Sequence, residues 1–216
     1  MLAITTFSLP IIGSFLTLAA GRFSQRLRNS LAVLIMLLTF ICTLVLIPQA
    51  NPAQTLELGS LSLPGLNLSF IVDGLGVYVA ATSSFIGLLI LLFSLAYMKS
   101  YEHQAEYYFL VVLFLGAMMG LVFSANLLVM YIFWEITAIC SWRLIGFYRK
   151  NQHLRNADTA MLITVFGSFL MLVGIEMVWH ETGTLDLNAL HGQQVSSWAL
   201  GFLLVGMLAK SAQVPM

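Results

Sequence analysis

Lys210 follows the apolar run Trp198–Ala209 and stands five positions before Pro215. Inserting an ammonium at the centre of a membrane helix costs about 2.5–3.5 kcal/mol on insertion scales, so a lysine at that depth is a candidate for function. A second ionisable group, Glu135, lies in the apolar stretch Leu127–Phe147, eight residues from one end and twelve from the other. At a rise of about 1.5 Å per residue it sits near mid-membrane. Burial favours the neutral form of acids and bases alike, whereas a facing opposite charge favours the ionised form. An acid and an amine that approach and separate can therefore take up and release a proton. The chemistry expected of Glu135 and Lys210 is proton or ion translocation; the plainer alternative is a fixed ion pair tying two helices together.

The neighbours of Lys210 favour the working role. The ring of Pro215 would clash with the carbonyl of Ser211, and its missing N–H leaves that carbonyl free. Broken backbone at membrane depth is tolerated only where it packs in protein or lines a wet cavity. Ser211 and Gln213 are expected to hold water there, although a simple proline kink near a helix end would look the same. Arg143 lies eight positions after Glu135, two turns on and about 80° round the helix. It either snorkels towards the charged end near Arg149 or has a working role, tuning Glu135 or feeding a proton channel. Glu176 is read as an interface group, and His103, His153, His180 and His191 as solvated loop residues.

The rest of the chemistry is excluded by type and spacing. Cys42 and Cys140 fall about 100 residues apart in apolar spans without a Cys-x-x-Cys pair, and read as free thiols. There is no clustered cysteine, no Gly-x-Gly-x-x-Gly after a strand and no intramembrane histidine pair for haem, so no cofactor, metal or catalytic residue is expected. A formal net charge of zero gives no reason to expect a nucleic acid.

These residues need elements that cross a bilayer. The 216 residues are 60% hydrophobic and 8% charged, where a soluble domain carries about 25% charge; the mean hydropathy is +0.94. Seven stretches approach the roughly 20 residues needed for a crossing: Leu2–Ala20, Leu31–Pro48, Gly74–Met98, Tyr108–Ala125, Leu127–Phe147, Asp158–Trp179 and Trp198–Met216. Ser124-Ala125-Asn126 splits the fourth from the fifth, and asparagine suits a tight turn there. The first stretch has no signal-peptide cleavage pattern and is expected to stay as a helix. Arg22, Arg26 and Arg28 follow the first span, and Arg149, Lys150 and Arg155 follow the fifth, so both basic loops share one face. The positive-inside rule makes that face cytoplasmic and puts the N-terminus outside.

On the outer face, Leu56, Leu58, Leu61 and Leu63, then Pro64-Gly65, then Leu66, Leu68 and Phe70 alternate as a short β-hairpin would. Gly116 and Gly120 flank Met118-Met119 and offer a small-residue face to a close helix neighbour. Trp179 and Trp198 sit at the outer ends of their spans, as interfacial aromatics do. The expected fold is an all-α integral membrane protein of about seven transmembrane helices, the last one broken, with a short external β-hairpin.

Tyr131-Ile-Phe-Trp-Glu-Ile-Thr-Ala-Ile-Cys-Ser-Trp-Arg-Leu-Ile-Gly-Phe147 and Ala209-Lys-Ser-Ala-Gln-Val-Pro215 resemble signatures of the antiporter-like membrane subunits. That family spans respiratory complex I, Mrp-type Na⁺/H⁺ antiporters and membrane-bound hydrogenases. Phe70-Ile-Val-Asp-Gly-Leu-Gly76, and Met161-Leu-Ile-Thr-Val-Phe-Gly-Ser-Phe-Leu-Met171 with Gly183-Thr184, look most like the A subunit of Mrp antiporters. The resemblance implies that Glu135 and Lys210 form the coupled pair at the entrance to a proton path, with Lys210 in a broken seventh helix. Arg143 departs from it, since that position usually holds an uncharged residue.

The resemblance divides the chain into an N-terminal segment, 1–107, and the start of the first helical repeat, 108–216. Because relatives run to about fourteen spans, it also implies a fragment, a split subunit completed by another chain, or a degenerate one. The expected partners are other membrane subunits of a multisubunit complex, H⁺, and Na⁺ as a candidate exchanged ion, in an energy-transducing bacterial or archaeal plasma membrane. The rival assignments are a membrane-arm subunit of an NADH:quinone oxidoreductase or hydrogenase, and a truncated scaffold.

Overall fold

The computed structural model describes residues 2–50, 53–60 and 67–213. The apolar runs become the helices α1 (Leu2–Ala20), α2 (Gln25–Leu46), α3 (Gly74–Tyr97), α4 (Gln104–Phe123), α5 (Leu127–Ile145), α6 (Asn151–Thr182), the single turn α7 (Leu187–Leu190) and α8 (Ser197–Lys210). Strands β1 (Gln54–Ser60) and β2 (Asn67–Val72) pair as a two-stranded sheet on the stretch expected to form a hairpin. The expected turn at Pro64-Gly65 lies outside the described residues. Among the described residues six helices are long and apolar enough to cross a membrane, and α8 is a shorter apolar helix. The protein is an integral membrane protein.

Two compact units form, Met1–Thr55 with Ile71–Phe123, and Leu56–Phe70 with Ser124–Met216. In the first, α1 packs between α2 and α4, and α3 lies against α2 and α4. Gly116 of α4 meets the backbone of Pro10 and Ile11, where an added Cβ would fall 2.9 Å from the Ile11 nitrogen, so the small-residue face of α4 does take a close neighbour. Within the Phe70–Gly76 motif, Asp73 caps α3 by accepting from the Gly76 N–H at 2.8 Å. A side chain at Gly76 would collide with that carboxyl, at 2.7 Å.

Helix boundaries correct the loop assignments. Arg26 and Arg28 belong to the first turn of α2, and Arg28 is only 3% exposed. Its guanidinium donates to Asn29 Oδ1 at 2.9 Å and to Gln104 Oε1 at 2.7 Å, and it lies over the Tyr108 ring. Likewise α6 runs for 32 residues, about 48 Å at 1.5 Å per residue, well beyond the hydrocarbon thickness of about 30 Å. Arg155, His153 and His180 therefore stand on helix, not in loops. A helix needs no apolar side chains to continue into water, so hydropathy marks where a span lies but not where its helix stops.

In the second unit, α6 packs along α8 and against α5. Its core gathers Met171, Ile175, Val178, Leu185 and Ala199, with Tyr131, Trp134 and Leu203 packed around them. The tight turn into α5 is made by Asn126, fully buried, whose side chain accepts from the N–H groups of Leu128 (2.9 Å) and Val129 (3.3 Å). Backbone bonds fix this turn on both sides. Ala125 N–H donates to Ser69 O at 2.9 Å, Leu127 N–H to Leu185 O at 2.9 Å, and Leu187 N–H to Ala125 O at 2.8 Å. Ser69 also donates to the carboxyl of Asp186 at 2.8 Å.

Candidate functional site

Lys210 is the last residue of α8, a helix of 14 residues, about 21 Å long and too short to cross alone. The expected span continued to Met216; the helix stops earlier, and for a specific reason. Gln213 N–H donates to Leu208 O at 3.2 Å, Ala212 N–H donates to Ala209 O at 3.4 Å, and Ala212 takes the left-handed φ of 50°. This is a Schellman closure, usually built on glycine, made here by alanine. It ends the helix ahead of Pro215, which lies outside the described residues. A cation in the last turn also complements the negative end of the helix dipole.

The depth and rotation of α8 are set by its packing on α6. A side chain at Gly167 would collide with Ala209, and one at Gly206 would fall 2.5 Å from the Met171 Cβ. The two helices approach this closely because those side chains are missing. Lys210 is thereby aimed at α5. Its ammonium donates to Thr137 Oγ1 at 2.9 Å and to the Trp134 carbonyl at 3.1 Å, and lies 5.3 Å from the centre of the Trp134 ring.

Glu135 stands between those two partners in sequence, at mid-helix in α5, and its side chain is half-buried. Its Oε1 is buried without a hydrogen-bond partner, as is the Trp134 indole nitrogen. The carboxyl and the ammonium are within electrostatic range of each other. They form no ion pair within 4.0 Å, and the lysine instead binds neutral acceptors on either side of the acid. Neither the Trp134 carbonyl nor the Thr137 hydroxyl was anticipated as a partner. The available signal was their spacing of three, which puts both on one face of α5.

The remaining candidates are more peripheral. Ser211 is exposed and its hydroxyl donates back to Met207 O at 2.8 Å; Gln213 is exposed. Arg143 occupies the last turn of α5, half-buried, with its guanidinium 5.6 Å from the centre of the Trp142 ring. The Trp142 indole donates to Asp158 at 3.0 Å. An open cavity of about 530 Å³ reaches Lys210 between α5, α6 and α8, with Ser141, Asn156, Thr159 and Thr164 supplying polar lining.

This combination defines a polytopic α-helical membrane protein with an ionisable site inside its helices. Residues 124–216 match the family model "NADH:quinone oxidoreductase/Mrp antiporter, TM", and residues 58–108 match "NADH-Ubiquinone oxidoreductase (complex I), chain 5 N-terminus". The Na(+)/H(+) antiporter subunit A1 of Staphylococcus aureus is 31% identical over 218 residues, which cover 96% of this chain and 27% of that protein. The chain thus spans about a quarter of the length of such relatives. The fold is similar to that in the Mrp complex from Dietzia sp. DQ12-45-1b, with a TM-score of 0.81 at 22% identity over 99% of this chain and 24% of the other. It is also similar to a chain of respiratory complex I from Thermus thermophilus, with a TM-score of 0.79 at 24% identity over 98% of this chain and 43% of the other. Residues 58–108 and 124–216 thus match models of the antiporter-like membrane subunits of Mrp antiporters and complex I, and the whole chain shares their fold.

Proposed function

We propose that this chain is a proton-translocating subunit of a multisubunit ion-pumping complex and exchanges protons for Na⁺. Glu135 and Lys210 form its switchable pair. One observation carries the reading: an ammonium at a helix break is held by neutral acceptors beside a carboxyl whose buried oxygen has no partner. A permanent ion pair would have both charges matched. Here the two groups sense each other without touching, so a small movement of the lysine changes the cost of charging either one. The cavity reaching Lys210 supplies room for water; Ser211 and Gln213, exposed just beyond the lysine, hydrate the pair, and Arg143 in the last turn of α5 modulates it.

On this reading the N-terminus lies outside and residues 108–216 begin the first helical repeat. The Na⁺ assignment leans on the relative named as a Na(+)/H(+) antiporter subunit. The match to a family model described for NADH:quinone oxidoreductase favours a second reading, a membrane-arm subunit of a redox complex whose electrons travel elsewhere. Purifying the native complex and identifying its partner subunits separates the two. The reading itself is tested in vesicles containing the intact complex. Lys210→Ala and Glu135→Gln each remove most proton transport with assembly preserved; unchanged transport in both contradicts it.

A further inference from the structure

We propose that Thr137 is a positioning residue whose hydroxyl, together with the Trp134 carbonyl, holds the Lys210 side chain off Glu135 and so keeps the pair open. The inference rests on the function proposed above and adds a residue that sets its equilibrium.

The hydrogen bonds have a definite direction. Thr137 Oγ1 donates its proton to the Trp134 carbonyl at 2.7 Å, which leaves its lone pairs for the ammonium at 2.9 Å. An ammonium has three N–H donors and no acceptor. Two of them meet oxygens of α5, and the ammonium also stands near the Trp134 ring. All of these partners are neutral, so they bind Lys210 without cancelling its charge. Trp134 and Thr137 share one face of α5, whereas Glu135 is turned about 100° from Trp134. The lysine is therefore held on neutral oxygens while within electrostatic range of the acid.

Removing the hydroxyl leaves the ammonium with a carbonyl that already serves its own helix, and the unpartnered Glu135 oxygen becomes the better acceptor. The titratable groups acting on Lys210 are Glu135 and Cys140, both on α5. The lining that α6 gives to the cavity is uncharged, including Thr159 and Thr164.

The test measures the pH dependence of proton transport by the intact complex in vesicles. Thr137→Val keeps the shape and removes the hydroxyl; Thr137→Ala removes it without a second methyl and serves if valine impairs assembly. Both move the alkaline limb to higher pH, because a closed pair holds its proton more tightly. A hydrogen bond to a charged group is strong enough for a displacement of about one pH unit. Thr137→Ser restores the original profile. A purely structural role lowers the rate at every pH and leaves the midpoint in place, which overturns the proposal. If the midpoint stays while Lys210→Ala and Glu135→Gln still abolish transport, the positioning role fails and the pair survives. If those two variants are themselves silent, both fail.

Discussion

Ala209 sits in the notch left by the absent side chain of Gly167, directly before Lys210 in the chain. The contact fixes how deep α8 lies and which way its last residue points. Gly167→Ala therefore pushes α8 away from α6. Overpacking of this kind costs about 1–3 kcal/mol, and it also withdraws Lys210 from Thr137. We expect a lower unfolding temperature of the complex and reduced proton transport. Gly201→Ala, on α8 with nothing within 4 Å of the added carbon, is the control and is expected to leave stability unchanged or slightly raised. Equal effects of the two substitutions would contradict the packing account.

Asn126 closes the turn between α4 and α5 and caps the helix that carries Glu135. Replacing such a cap by alanine costs about 0.5–2 kcal/mol. Asn126→Ala is expected to lower thermal stability by that amount, with Asn126→Asp much closer to the parent. Thermal unfolding of the purified complex measures both. Indistinguishable alanine and aspartate variants would show that the cap contributes nothing.

Arg143 lies in the last turn of α5 with its guanidinium 5.6 Å from the centre of the Trp142 ring. Arg143→Leu is expected to leave the pH dependence of proton transport where it is, while changing the environment of Trp142 and hence its fluorescence. A displaced pH profile with unchanged fluorescence would assign Arg143 to the tuning of Glu135.

Hydropathy made the spans legible because each crossing demands a long apolar run, and Leu2–Ala20 and Leu127–Ile145 fall close to where those runs lie. It could not mark the ends of α6, whose polar turns, with His153 and His180, remain helical in water. The end of α8 was legible only in part. Pro215 predicts a break, but the closure falls earlier on Ala212, which carries none of the glycine signal that a left-handed cap normally shows.

Glu135 and Lys210 stood out because charge at membrane depth is rare. The partners of Lys210 did not stand out, since a threonine and a backbone carbonyl look ordinary in any apolar helix. The fastening of Asn126 beside Asp186 depends on residues 60 positions apart. No local pattern announces a contact of that kind.

The central claim is that the carboxyl of Glu135 and the ammonium of Lys210 act as one device. Proton transport by the intact complex in vesicles, compared among Glu135→Gln, Lys210→Ala and the double variant, tests it most directly. Groups that work as a unit are strongly non-additive, so the double variant is predicted to lose no more transport than the more damaging single substitution. Losses that multiply would mean that the two groups act independently, and would contradict the account.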